Sequence, residues 1–230
     1  MEYNKPDFKK VNMLANEILV ASSVISSFPV DAKRIVEEWS DIRIHTFKYA
    51  QERGIDIEAF GSNAALLVCK KGRYIIFYNE RDYLPRVNFS ILHEFAHYRC
   101  NHELLHYSND EKYGKLEVEA NCFAAQILMP EQVINELRSR GAIIKAEFLR
   151  KKFGVSLEAA NRRIETLGKY NYNWRSSDEK LFDETILFKY SEFMDSIMSK
   201  VNDNNWYEDE YERQRERDSW YSDNRTRYKY

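Results

Sequence analysis

The sequence predicts an α+β fold, mostly helical, with a small antiparallel sheet. Three observations predict it. Only 7 Gly and 4 Pro occur in 230 residues, too few for the many turns of an all-β sandwich. Apolar residues recur at helical spacing through most of the chain, and strand-like runs are confined to residues 42–78. Neither a repeat of solenoid length nor a Gly/Ser- or Pro-rich linker divides the chain. A 43% hydrophobic content supplies a core, while 31% charged residues and a mean hydropathy of -0.66 exclude a membrane-embedded protein. The formal charge of -2 offers no global attraction to nucleic acid or to an anionic membrane.

The elements follow in order. A first helix is predicted over 11–27, with Leu14, Ile18, Ala21 and Ile25 on its apolar stripe, broken at Phe28-Pro29. The apolar run 18–28 follows Lys5, Lys9 and Lys10 as a targeting signal would. Asn12, Asn16 and Glu17 intrude before it, four serines dilute it, and it falls far short of the ~20 apolar residues a membrane span needs. Three cysteines, Cys69, Cys100 and Cys122, form no short pair and fit a reducing compartment, so a cytoplasmic protein is expected. Asp31 is a good N-cap for a second helix ending at Trp39. Strands are predicted over 42–47, 64–69 and 74–78, the last two forming a hairpin around Lys70-Lys71-Gly72-Arg73. A loop through Pro85 leads to a helix starting near Phe89 or Ser90, and another helix runs over 115–129 to Pro130. Three shorter helical patterns continue to Lys169.

Chemistry concentrates in His93-Glu94-Phe-Ala-His97, an H-E-x-x-H string among the apolar residues Ile91, Leu92, Phe95 and Ala96. At about 100° per residue the two histidines lie about 40° apart, one turn from each other on one face, where they can grip one Zn²⁺. Glu94 sits beside them, offset as a general base for a water molecule rather than as a ligand. A second string, His102-Glu103-Leu-Leu-His106, starts nine residues on. On one continuous helix nine residues is about half a turn, so the two pairs would point opposite ways and could not share a metal. The first pair is favoured because Arg99 and Asn101 precede the second, which runs into Ser108-Asn109-Asp110. His102 and His106 are read as surface residues or as supports to the ligands. A third ligand must return on the next helix, where Glu117 and Asn121 share one face above Ala124 and Leu128. Asn121 is suited to orient a histidine through its unligated ring nitrogen. Helical geometry favours Glu117 as the ligand, with Glu119, on another face, left open as the alternative.

These two linked motifs resemble the ImmA/IrrE family of zinc metallopeptidases: Arg86-Val-Asn-Phe-Ser-Ile-Leu-His93-Glu94-Phe-Ala-His97, then Glu117-x-x-Ala120-Asn121-x-Phe123-Ala-Ala-x-Ile-Leu128-Met129-Pro130. The hairpin ending Tyr74-Ile-Ile-Phe-Tyr78-Asn79, and Val155-Ser156-x-x-Ala159 leading to Arg163-Ile164-x-x-Leu167-Gly168, are similar to that family too. The resemblance covers residues 15–169 and implies a zincin-like fold, zinc held by His93, His97 and Glu117, and Glu94 as catalytic acid/base. It also implies a protein substrate, a helix-turn-helix repressor of stress or mobile-element genes.

The resulting division is a metallopeptidase core over 1–130, a helix-turn-helix-like subdomain over 131–170, and an acidic, Tyr-rich extension over 171–230. The stretch 145–169 carries 7 basic and 3 acidic residues, the basis of an alternative reading as a DNA-associated regulator with a structural or absent metal. Residues 178–230 carry 14 acidic against 9 basic, and 182–198 reads as one amphipathic helix. After Val201 the sequence reads as a solvated or disordered tail that docks on the basic stretch or recruits a basic repressor domain.

Overall fold

The computed structural model describes residues 5–57, 62–102, 111–167 and 175–200. In chain order the elements are α1 (Phe8–Ala21), α2 (Ala32–Trp39), β1 (Arg43–Thr46), α3 (Phe47–Gln51), β2 (Ala65–Lys70) and β3 (Arg73–Tyr78). There follow α4 (Leu84–Arg99), α5 (Glu111–Leu128), α6 (Glu131–Ser139), α7 (Ala146–Phe153), α8 (Leu157–Thr166), α9 (Ser177–Lys189) and α10 (Ser191–Lys200). The chain divides into two compact units at Met194, and the site lies wholly in the first. The predicted tail beyond Val201, together with Glu103 and His106, lies outside the described residues.

The hairpin forms where the sequence predicts it. Lys71 and Gly72 both take positive φ (52° and 74°), the geometry that matches a two-residue turn to the twist of its strands. The sheet is mixed rather than wholly antiparallel. β2 pairs antiparallel with β3, but β1 lies parallel to β3 on its other edge, giving the order β1-β3-β2. The stretch through α3 and β2 supplies the crossover that parallel pairing requires. Ala50, Ile57, Leu66 and Phe77 form a small core on one face of the sheet, and the alternate residues Leu67 and Ile76 are buried on the other.

Several boundaries differ from expectation, and α3 and the start of α5 at Glu111 were not predicted; three differences have a visible cause. Helix α1 ends at Ala21 rather than near Ser27, and Ala21 is exposed while Val11, Ala15, Ile18 and Leu19 form the buried face. The cause lies in α2. The Glu38 carboxylate accepts from both hydroxyls of Ser22 and Ser23 and from the Ser23 N–H (2.7 Å), drawing the chain out of the helix. Helix α4 starts at Leu84, with Pro85 in its first turn instead of in a loop, because that turn needs no N–H from its first residues. Residues 182–198 are two helices broken at Tyr190, a fully buried residue whose hydroxyl donates to Leu19 O (2.8 Å). Next to it Lys189 Nζ donates to the carbonyls of Leu19, Val20 and Ser22, placing a cation on the negative end of α1.

Residues 175–194 are therefore part of the core. Phe28 packs between Phe153, Tyr190 and Phe193, with ring centroids 5.0–5.1 Å apart. Ile186 and Met194 are fully buried. The turn from α7 to α8 depends on Gly154: its φ is +63°, and a Cβ there would come within 2.6 Å of the Pro29 ring.

The site rests on three helices. Asn88 fixes α4 to the start of α2, donating to Val30 O (3.1 Å) and accepting from Ala32 N (3.4 Å). α5 lies between α1 and α4, where fully buried Ala120 and Ala124 allow close approach and Phe95 meets the edge of Phe123. Asn16 on α1 accepts from Gln126 on α5 at 2.8 Å in the buried seam. Among the described residues no helix is long and apolar enough to cross a membrane.

Candidate metal centre

His93 and His97 project from α4 one turn apart, and Glu117 meets them from α5. The two imidazole Nε2 atoms are 3.2 Å apart, and each lies 3.2 Å from one carboxylate oxygen of Glu117. Among the described residues these three are the group whose donor atoms converge, all within 4.8 Å of one another. Tetrahedral zinc with bonds of about 2.0–2.1 Å holds its ligand atoms about 3.3 Å apart, close to the nitrogen–nitrogen separation and to that of each nitrogen from its own Glu117 oxygen.

The hydrogen bonds behind the triangle explain why its atoms face one another. The His93 Nδ1–H donates to Asn121 Oδ1 at 3.0 Å, leaving a lone pair on Nε2. His97 Nδ1 is bonded to His102 Nδ1 at 3.1 Å, so its Nε2 is likewise left facing the site. With both rings neutral and their Nδ1 atoms donating, two lone pairs and a carboxylate point at one spot with no donor among them. A cation, a proton or a metal, satisfies that arrangement. Protonation is the metal-free solution. Burial disfavours charge on His93, but the Glu117 hydrogen bond and the Glu94 and Glu117 charges prevail and raise its pKa. For Glu117, burial is outweighed by hydrogen bonds from both histidines, which hold the carboxyl well below the usual range.

Glu94 lies beside the triangle and outside it. Its Oε2 accepts the Leu67 N–H of β2 at 2.8 Å, which ties the sheet to α4 and leaves Oε1 without that restraint. Desolvation raises its pKa, partly offset by the nearby histidines and the Leu67 N–H. This is a carboxylate tuned to hold a proton more readily than an exposed one.

Glu119 does not join the triangle. It points elsewhere, accepting from His102 Nε2 (2.9 Å) and from the Asp7 N–H (2.7 Å). His102 is not carried on a continuation of α4 either. The helix stops at Arg99, Asn101 takes a left-handed φ of 56°, and the His102 N–H returns to His97 O at 2.9 Å. With Asn101 N donating to Tyr98 O (3.1 Å), this is a Schellman termination. It folds His102 back under His97, so the half-turn argument from a continuous helix does not apply. The signal for it was present in the asparagine, a residue that tolerates left-handed backbone.

The three cysteines form no disulfide, and Cys100 is buried, its thiol pushed up to about 11 by desolvation. The helix-turn-helix-like pair α7–α8 turns part of its basic charge inward. Arg163 is buried and donates to Met129 O (3.0 Å) and to Gln126, capping the end of α5. Arg150 and Arg162 lie in ion pairs with Glu147 and Glu158.

The sequence pattern of Peptidase_M78, the IrrE N-terminal-like domain, matches residues 41–165, more than half of the chain. No curated protein matches this chain.

Proposed function

Because the chain belongs to the IrrE N-terminal-like family of metallopeptidases, we propose that it is a zinc-dependent endopeptidase acting on a protein, specifically a helix-turn-helix transcriptional repressor. The observation that carries the zinc assignment is the convergence of His93 Nε2, His97 Nε2 and the Glu117 carboxylate at 3.2 Å separations. In this reading those three residues hold the ion and Asn121 fixes the ring of His93. Zinc, when bound, supplies Lewis acidity toward a peptide carbonyl and lets water ionise near pH 7. Glu94 takes the proton of the attacking water on Oε1 while Leu67 restrains Oε2, and it returns that proton to the departing amine nitrogen as the C–N bond breaks. The raised proton affinity of Glu94 suits a group that must both accept and release. A repressor substrate follows from the family resemblance, and its loss would switch on a stress or mobile-element regulon. Three cysteines outside any disulfide accord with work in the cytoplasm.

The test is direct. Purified protein is analysed for metal and incubated with the repressor encoded beside its gene, and products are identified by mass spectrometry. One zinc per chain and a single cleavage, abolished by chelation and restored by zinc, are expected. Cleavage that persists in the metal-free protein refutes the reading.

A further inference from the structure

The contacts behind His97 form a chain that the catalytic reading leaves unused. His97 Nδ1 meets His102 Nδ1 at 3.1 Å, His102 Nε2 meets Glu119 Oε2 at 2.9 Å, and Glu119 Oε1 accepts the Asp7 N–H at 2.7 Å. Asp7 is the N-cap of α1, its side chain accepting from Lys10 N. The side chains of His102 and Glu119 are only 3% and 12% exposed, so solvent offers little alternative partner.

The order of protons along this chain is dictated at its far end. An ionised carboxylate only accepts, so Glu119 requires the proton of His102 to sit on Nε2. His102 Nδ1 is then an acceptor, and the facing nitrogen of His97 must carry a hydrogen. Nε2 of His97 is thereby left with its lone pair toward Glu117 and His93. The Schellman turn at Asn101 holds the backbone of His102 on His97 O while its ring holds the ring of His97, so both handles act on one residue.

We infer that His102 and Glu119 are positioning residues that set the tautomer and ring orientation of His97 for metal binding, with the start of α1 as their anchor. The inference rests on the zinc reading above and adds to it two residues that touch neither metal nor substrate. Outer partners of this kind are worth about 10–100-fold in metal affinity.

The experiment uses the full chain in four forms: wild type, His102→Ala, His102→Asn and Glu119→Gln. Zinc affinity is read by competition with a chromogenic chelator, the ligand field by the visible spectrum after Co²⁺ loading, and fold integrity by melting of the metal-free proteins. His102→Ala should bind zinc about 10–100-fold more weakly. Glu119→Gln should do the same although it is nearly isosteric. Its amide has one acceptor for two donors, and donating to His102 would turn a hydrogen of that ring against the hydrogen of His97. His102→Asn keeps an oxygen near the position of Nδ1 and should recover most of the affinity and the wild-type Co²⁺ spectrum. Wild-type affinity and spectrum in both His102→Ala and Glu119→Gln overturn the inference. So does a fall in metal-free melting temperature with affinity unchanged, which would make the pair structural only. A wild-type protein that binds no zinc overturns the zinc reading itself, and the inference with it.

Discussion

Replacing Glu94 separates two jobs that the proposed mechanism gives to one carboxylate. Glu94→Gln keeps an oxygen that can accept the Leu67 N–H, whereas Glu94→Ala removes the acceptor. Leu67 is 7% exposed, so its N–H has little access to water once that partner is lost. A buried donor left unsatisfied costs about 1–3 kcal/mol, and the alanine variant should be less stable than the glutamine variant by that amount. Both should lose the general base, which costs about 10²–10⁴-fold in rate, or about 2.7–5.4 kcal/mol of barrier. Neither change touches the triangle of His93, His97 and Glu117, so both should retain one zinc. Stability is read by urea unfolding of the metal-free proteins, zinc by elemental analysis, and rate by a time course on the neighbouring repressor. Wild-type cleavage by Glu94→Gln would refute the acid/base role. Equal stability of the two variants would refute the argument that Leu67 is anchored by this carboxylate.

Glu117→Ala should abolish stoichiometric zinc in elemental analysis, and its deficit should exceed that of Glu119→Gln; the reverse order would make Glu119 the ligand. Truncation should distinguish the extension's two parts. A chain of residues 1–200 should keep a cooperative thermal transition and its zinc, whereas one of 1–174 should not, since it strips Tyr190 and Phe193 from Phe28 and Phe153. Loss of Tyr190 alone is comparable to an aromatic-to-alanine change of about 3–5 kcal/mol, a large part of a domain's total stability of about 5–15. For pH, burial opposes the charge on Glu38, but the Ser22 and Ser23 hydrogen bonds prevail and bring its pKa down from 4.5 to about 2. A depressed carboxyl pKa stabilises the fold above the unfolded value and loses that contribution as pH falls toward the folded one. The melting-temperature gap between wild type and Glu38→Gln should therefore be full at pH 7 and narrow from about pH 4.5 to pH 2.

The elements that carry the centre were legible in the residues because local rules place them. Turn spacing put His93 with His97 and Glu117 with Asn121, Asp31 capped its helix, and Lys71-Gly72 turned its hairpin. Helical phase also separated Glu117 from Glu119, although it could not say what either would meet. What the sequence could not decide were contacts between segments remote in the chain. Ser22 and Ser23 end α1 only because Glu38 arrives from α2. β1 pairs parallel to β3 because a crossover brings it to that edge. Residues 175–194 read as the start of an acidic extension, yet Tyr190 and Lys189 close the end of α1. The same limit applies at the centre, where His102 sits behind His97 and Glu119 joins them to Asp7, 112 residues away. Local spacing follows from backbone geometry, which each segment carries by itself. A hydrogen bond between distant segments exists only once packing has excluded water and brought its two ends within 3 Å, and that is decided by the tertiary fold.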